Sequence, residues 1–212
     1  MKRIIQLAPV VIGALLFFSF AGDKGQKSIK IGAKAPLADV KMKNIDGNEL
    51  SLNDAKLKNG LVVVFSCNTC PFVVGMDDFP GWEKDYNDLN KIAKANDLGF
   101  VLVNSNEAKR EGDDSLEKMI EKAKKASYTM PYLVDVNSEL ANAFGAKTTP
   151  HVYLFNADMK LVYMGSIDNS WDSKRSSDEA YLSNAISQMS TGKIAVSESD
   201  PRGCSIKRVK VD

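Results

Sequence analysis

Two cysteines separated by two residues are the first candidates for chemistry. Cys67 and Cys70 stand in "LVVVFSCNTCPF" (61–72), at the end of an apolar, β-branched run that predicts a buried strand. If a helix follows directly, Cys67 lies at its N-terminus, where free N–H groups and the helix dipole favour a thiolate. The lowered pKa would make Cys67 the nucleophile, and Cys70, one turn further on, would resolve the mixed disulfide. The spacing therefore predicts a working redox pair.

Two other uses of this pair stay open. An inert disulfide is one, although so short a bridge closes almost no loop and adds little stability. The other is a copper or zinc module, in which Cys67, Cys70 and His151, the single histidine of the chain, share the ion with a ligand from outside. Because the sequence has no second ligand pair, we expect no metal, and we expect His151 to be an ordinary strand residue.

The segment "TTPHVYLF" (148–155) holds a second candidate feature. A proline directly before a strand often follows a cis peptide bond kept for a tight turn, so the Thr149–Pro150 bond is a candidate for the cis isomer. The alternative is an ordinary proline at the start of a strand.

Cys204, the third cysteine, lies in the tail "SESDPRGCSIKRVKVD" (197–212), which we expect to be irregular. Its thiol is idle, forms an intermolecular link, or reacts with the redox pair. A free thiol is unusual in an oxidising compartment, and this favours a redox role for Cys204.

The elements around these residues predict an α/β fold. An Asp46-Gly47 turn predicts an N-terminal hairpin. The runs "LVVVF" (61–65) and "GFVLVNS" (99–105) predict buried strands, and helical patterns follow each of them; the second helix begins after the cap candidates Asp113 and Asp114. Parallel strands joined by helices, with an antiparallel pair near the end, predict a mixed central sheet with helices on both faces.

The first residues, "MKRIIQLAPVVIGALLFFSFAG", have a basic start, an apolar run and small residues at a cleavage site. We expect a signal peptide over 1–21, a linker over 22–30, one domain over 31–195 and a tail over 196–212. An uncleaved membrane anchor is the alternative. In either case we expect an exported protein, periplasmic or otherwise extracytoplasmic.

The charges nearly cancel, with 28 Lys+Arg against 27 Asp+Glu, so composition gives no reason to expect a nucleic-acid partner. The strand, the Cys-x-x-Cys and the Thr-Pro before a hairpin resemble the thioredoxin superfamily. The stretches "FSCNTCPFV", "VLVNSNE", "AFGAKTTPHVYLFNAD" and "GCSIK" resemble its redoxin, or peroxiredoxin-like 1, subfamily of AhpC/TSA type.

This resemblance implies a thioredoxin-like fold with Cys67 and Cys70 as the redox pair. It also implies that Pro150 is the cis-proline beside them, and that Thr149 offers its backbone to a substrate chain. It implies a thiol–disulfide oxidoreductase without a dissociable cofactor, whose partners are protein disulfides or dithiols and an electron-donor protein.

Several positions depart from the pattern. Ser66 and Leu61 replace a tryptophan and a buried aspartate of thioredoxin. Val63 and Cys67 occupy the positions of the proline and threonine of a peroxidatic site centred on Cys70. A thiol peroxidase is therefore the less favoured alternative.

Overall fold

A computed structural model of the chain describes residues 27–189 and 192–209. The expected signal peptide and most of the linker lie outside the described residues. Among the residues described, no helix is long and apolar enough to span a lipid bilayer.

The described residues form the strands β1 (Met42–Asn44), β2 (Glu49–Leu50), β3 (Gly60–Ser66), β4 (Leu98–Asn104), β5 (Tyr132–Val134), β6 (Thr148–Thr149), β7 (His151–Asn156), β8 (Leu161–Gly165) and β9 (Cys204–Ser205). Seven of these strands form one mixed sheet, in the order β2-β1-β5-β4-β3-β7-β8. Strands β3, β4 and β5 run parallel to one another, whereas β7 and β8 are antiparallel to their neighbours. Two further short strands, β6 and β9, pair with each other outside this sheet.

The α-helices are α1 (Leu52–Ala55), α2 (Pro71–Val74), α3 (Tyr86–Ala95), α4 (Leu116–Lys125), α5 (Glu139–Phe144) and α6 (Tyr181–Met189). Short 3-10 turns cover Glu83–Asp85, Glu107–Lys109 and Val136–Ser138.

The sheet separates two apolar layers. Successive strand side chains point to opposite faces, so Val62 and Val64 of β3 pack with α2, α3, α4 and α6, whereas Val63 and Phe65 pack with α1 and α5. Every residue of β3 and β4 is buried, as expected for central strands covered on both sides. The predicted fold class, a mixed sheet with helices on both faces and an N-terminal hairpin, is confirmed.

Two local predictions are wrong. Helix α4 is capped by Ser115, whose hydroxyl accepts a hydrogen bond from the Lys118 N–H, and not by the aspartates before it. The tail is not irregular, because Cys204 and Ser205 form β9 and Ile206 is buried in the core. The residues around β9 are mostly polar, so hydrophobic periodicity does not predict this strand.

Candidate functional site

Cys67 and Cys70 lie where β3 ends, and both are buried, with 2% and 4% of their surface exposed. Helix α2 begins at Pro71, so Cys70 is the residue that caps the helix. The sequence-based placement of Cys67 at the helix N-terminus is therefore wrong. A proline fits the first turn of a helix, where no N–H partner is needed, and this fixes the start one residue after Cys70.

Thr149 contacts both cysteines. The Thr149–Pro150 peptide is cis, as predicted. The Thr149 hydroxyl is hydrogen-bonded to Sγ of Cys67 at 3.2 Å, and the Cys70 thiol lies 3.0 Å from the Thr149 carbonyl oxygen, to which it can donate. The structure thus brings together cysteines and a Thr-Pro pair that are about 80 residues apart in sequence.

Cys204 reaches the same place from the tail. In the β6–β9 ladder Cys204 is the partner of Thr149, and its backbone N–H donates a hydrogen bond to Sγ of Cys70 at 3.3 Å. The Cys204 thiol also lies within hydrogen-bonding reach of Cys70, and Cys204 is partly exposed. All three cysteines of the chain therefore meet at one site.

The two buried thiols differ in acidity. Hydrogen bonds from Cys67, then from the thiol and backbone N–H of Cys204, lower the pKa of Cys70 to about 5, while burial acts in the opposite direction. The Thr149 carbonyl also opposes this shift, since it accepts a hydrogen bond only from a protonated thiol, but the donors around Cys70 are more numerous. The pKa of Cys67 is raised, first because its thiol donates to Cys70 and then because it is buried. Cys70 is therefore the more acidic of the two buried thiols.

A buried carboxylate supports the loop between the cysteines. Asp114 is fully buried and accepts hydrogen bonds from the backbone N–H of Asn68 at 2.9 Å and from the side chains of Asn104 and Asn106 at 2.7 and 3.0 Å. Its negative charge also contributes to the raised pKa of Cys67. The sequence predicts Asp114 as a helix-cap candidate, because a polar residue directly before a helix is typical of a cap whether its side chain faces water or the core.

His151 takes no part in the sulfur cluster. It is buried, its Nδ1 accepts a hydrogen bond from the Lys147 N–H at 3.2 Å, and burial lowers its pKa to about 3. Within 27–189 and 192–209, no three histidine, cysteine or carboxylate side chains are grouped so as to hold a metal ion.

The mixed sheet, the Cys-x-x-Cys at the end of its central strand and the adjoining cis-proline define a thioredoxin-like protein of the redoxin type. The chain belongs to the AhpC/TSA family, whose model matches residues 31–164. No curated protein matches the sequence.

Solved structures agree on the fold. An uncharacterised conserved protein of Geobacillus kaustophilus is 31% identical over 86% of this chain and 94% of its own, with a TM-score of 0.75. The hypothetical protein SMc02350 of Sinorhizobium meliloti is 30% identical over 86% of this chain and 97% of its own, with a TM-score of 0.74. Peroxidoxin BcpB of Mycobacterium tuberculosis shares the fold at 16% identity and a TM-score of 0.55, covering 78% of this chain and 99% of its own.

Proposed function

We propose that this protein is a thiol–disulfide oxidoreductase in which Cys67 and Cys70 alternate between a dithiol and a disulfide. The observation that carries the proposal is the pair of buried sulfurs that are both held against Thr149 and its cis-proline. The sulfurs carry the electrons themselves, so the reaction needs no dissociable cofactor.

The acidities assign a role to each sulfur. Cys70, with a pKa of about 5, is the thiolate at neutral pH and attacks a disulfide sulfur. Cys67, whose thiol already donates to Cys70, resolves the mixed disulfide. These roles are the reverse of those expected from the sequence, because hydrogen bonds from Cys67 and Cys204 lower the pKa of Cys70.

Export belongs to the proposal as well. The basic start and apolar run of residues 1–21 support a signal peptide, and a disulfide-forming pair suits an extracytoplasmic compartment. The partners would then be exported protein disulfides or dithiols and a protein that restores the pair.

The test uses purified protein and insulin as the disulfide substrate. Peptide mapping by mass spectrometry should find a Cys67–Cys70 disulfide that dithiothreitol opens and an oxidant restores. Cys70→Ser and Cys67→Ser should each abolish multiple-turnover reduction, whereas Thr69→Ser, at the exposed position between them, should retain it. Full activity in either cysteine variant would contradict the proposal.

A thiol peroxidase is the second candidate, favoured by the family and by the thiolate at the start of α2. Against it, Val63 faces the apolar layer under α1 and α5, and Cys67 stands where a peroxidatic site has a hydroxyl. Consumption of hydrogen peroxide by reduced protein, faster than its reaction with insulin, would favour this candidate.

A further inference from the structure

We propose that Cys204 is a third redox cysteine, the sulfur through which external thiols and disulfides exchange with the buried pair. This inference rests on the proposed function and adds a residue and a route to it. The three cysteines differ in solvent exposure: Cys67 and Cys70 are almost fully buried, whereas Cys204 is partly exposed and can meet an external thiol or disulfide.

The tail occupies the edge that an extended substrate would use. Thr149 pairs with Cys204 as one strand pairs with the next, so the backbone beside the cis-proline already has a partner from the same chain. The chain thereby presents its own cysteine to Cys70, where an external peptide would present one.

The tail is fixed on both sides of Cys204. Before it, the Ser166 hydroxyl donates to the Asp200 carbonyl at 2.6 Å, and Arg202 lies 4.5 Å from the Trp171 ring centre. After it, the Ile206 N–H donates to the Lys147 carbonyl at 3.1 Å, and the Ile206 side chain is buried. A tail with so many attachments is expected to stay in place. This favours a role in which Cys204 itself exchanges with external thiols over one in which the tail moves away to uncover the buried pair.

The relay starts from the oxidised pair, in which Cys67 and Cys70 form a disulfide. The Cys204 thiolate attacks Sγ of Cys70, a Cys70–Cys204 disulfide forms, the Cys67–Cys70 bond breaks, and Cys67 leaves and takes the proton that Cys204 gave up. A thiolate of an external dithiol then attacks Sγ of Cys204, and Cys70 leaves as a thiolate. The second external thiol attacks the mixed disulfide and passes its proton to Cys204. The dithiol has become a disulfide, its two electrons are on Cys67 and Cys70, and the reverse order reduces an external disulfide.

The acidities fit this order of steps. Cys70 has the lowest pKa of the three thiols and is therefore the best leaving group in the second step, in which the external thiolate attacks Cys204; in the first step Cys67 leaves only as it takes up the proton that Cys204 gave up. Burial and then the neighbouring Cys70 raise the pKa of Cys204 to about 11 in the reduced site. Oxidation of Cys70 removes that neighbouring negative charge, so Cys204 becomes more acidic at the stage at which it must attack.

The first experiment traps the intermediate. Cys67→Ser protein treated with diamide should form an intramolecular Cys70–Cys204 disulfide within minutes, identified by peptide mapping. Cys70→Ser protein, which lacks the sulfur between the other two, should form a Cys67–Cys204 bond at least tenfold more slowly. Equal rates in the two variants, or the absence of a Cys70–Cys204 bond, would overturn the inference.

The second experiment measures exchange in protein with an intact pair. Cys204→Ser should reduce insulin at least tenfold more slowly and yet still form the Cys67–Cys70 disulfide, which separates this inference from the proposed function. Adding Ser205→Cys should not restore the rate, because neighbouring strand residues face opposite sides. An unchanged rate in Cys204→Ser would show that the pair reacts directly, and a faster rate would show that the tail is a cover; either result would refute the relay.

Discussion

Gly203→Ala should raise the pKa of Cys70 by displacing the tail. A Cβ at position 203 would lie 2.2 Å from the carbonyl oxygen and 2.6 Å from the carbonyl carbon of Thr149. Both atoms are backbone and cannot rotate away, so the tail must move off β6 and take with it the Cys204 N–H that donates to Cys70 at 3.3 Å.

The size of the effect follows from that one hydrogen bond. A hydrogen bond to a charged group contributes about 1.5 to 3 kcal/mol, and about 1.4 kcal/mol corresponds to one pKa unit. Loss of the Cys204 N–H alone should therefore raise the pKa of Cys70 from about 5 to between about 6 and 7. The lost donor stabilised the thiolate, so its loss raises the pKa of Cys70, and any water that enters beside Cys70 as the tail moves makes the rise smaller.

The assay is NMR of protein with labelled cysteine Cβ carbons, which reports each thiol separately as pH is changed. Gly112→Ala is the matched control, because a Cβ there meets nothing nearer than the Lys109 carbonyl oxygen at 3.9 Å. Thermal unfolding of both variants checks that the core is retained. If Gly203→Ala folds and Cys70 titrates as in the parent protein, the tail does not set the acidity of Cys70.

Two further predictions concern buried ionisable groups. Asp114→Asn should lower the free energy of unfolding by about 2 to 3 kcal/mol in urea titration, because three hydrogen-bond donors lose a charged acceptor. The same substitution should lower the pKa of Cys67, because it removes a nearby negative charge. Asp113 is exposed, so the control Asp113→Asn should change neither quantity. His151 has a folded-state pKa of about 3 against its usual 6.5, so its contribution to stability is complete above pH 6.5 and should fall by about 1.4 kcal/mol per pH unit down to about pH 3. His151→Gln should flatten the dependence of the urea midpoint on pH in this window, and an unchanged slope would mean that another group causes it.

The main parts of the fold could be predicted because the central strands are unbroken apolar runs. Residues 61–65 and 99–105 are recognisable without knowledge of their neighbours, since burial on both faces leaves no room for polar residues. The proximity of Thr149–Pro150 to the cysteines could be predicted only from the resemblance to thioredoxins, because these segments are far apart in the sequence.

The chemistry within the site was harder to predict. Helix α2 begins three residues later than expected, and hydrogen bonds from Cys67 and Cys204 make Cys70 the more acidic thiol. The pairing of Cys204 with Thr149 involves two-residue strands, too short to show any periodicity. The burial of Asp114 depends on the backbone N–H of Asn68 and on the side chains of Asn104, at the end of β4, and Asn106, just after it, and no local sequence pattern indicates these contacts.

The distance along the chain between Cys70 and Cys204 has a consequence for oxidative folding. In an unfolded chain, joining residues 134 apart costs more loop-closure entropy than joining Cys67 to Cys70, so the local disulfide is favoured. Mispairing with Cys204 is therefore rare before the core exists. Only a finished native structure brings the third sulfur within reach, so a nascent molecule oxidised early closes the short bridge first and can complete its folding without needing to reshuffle it.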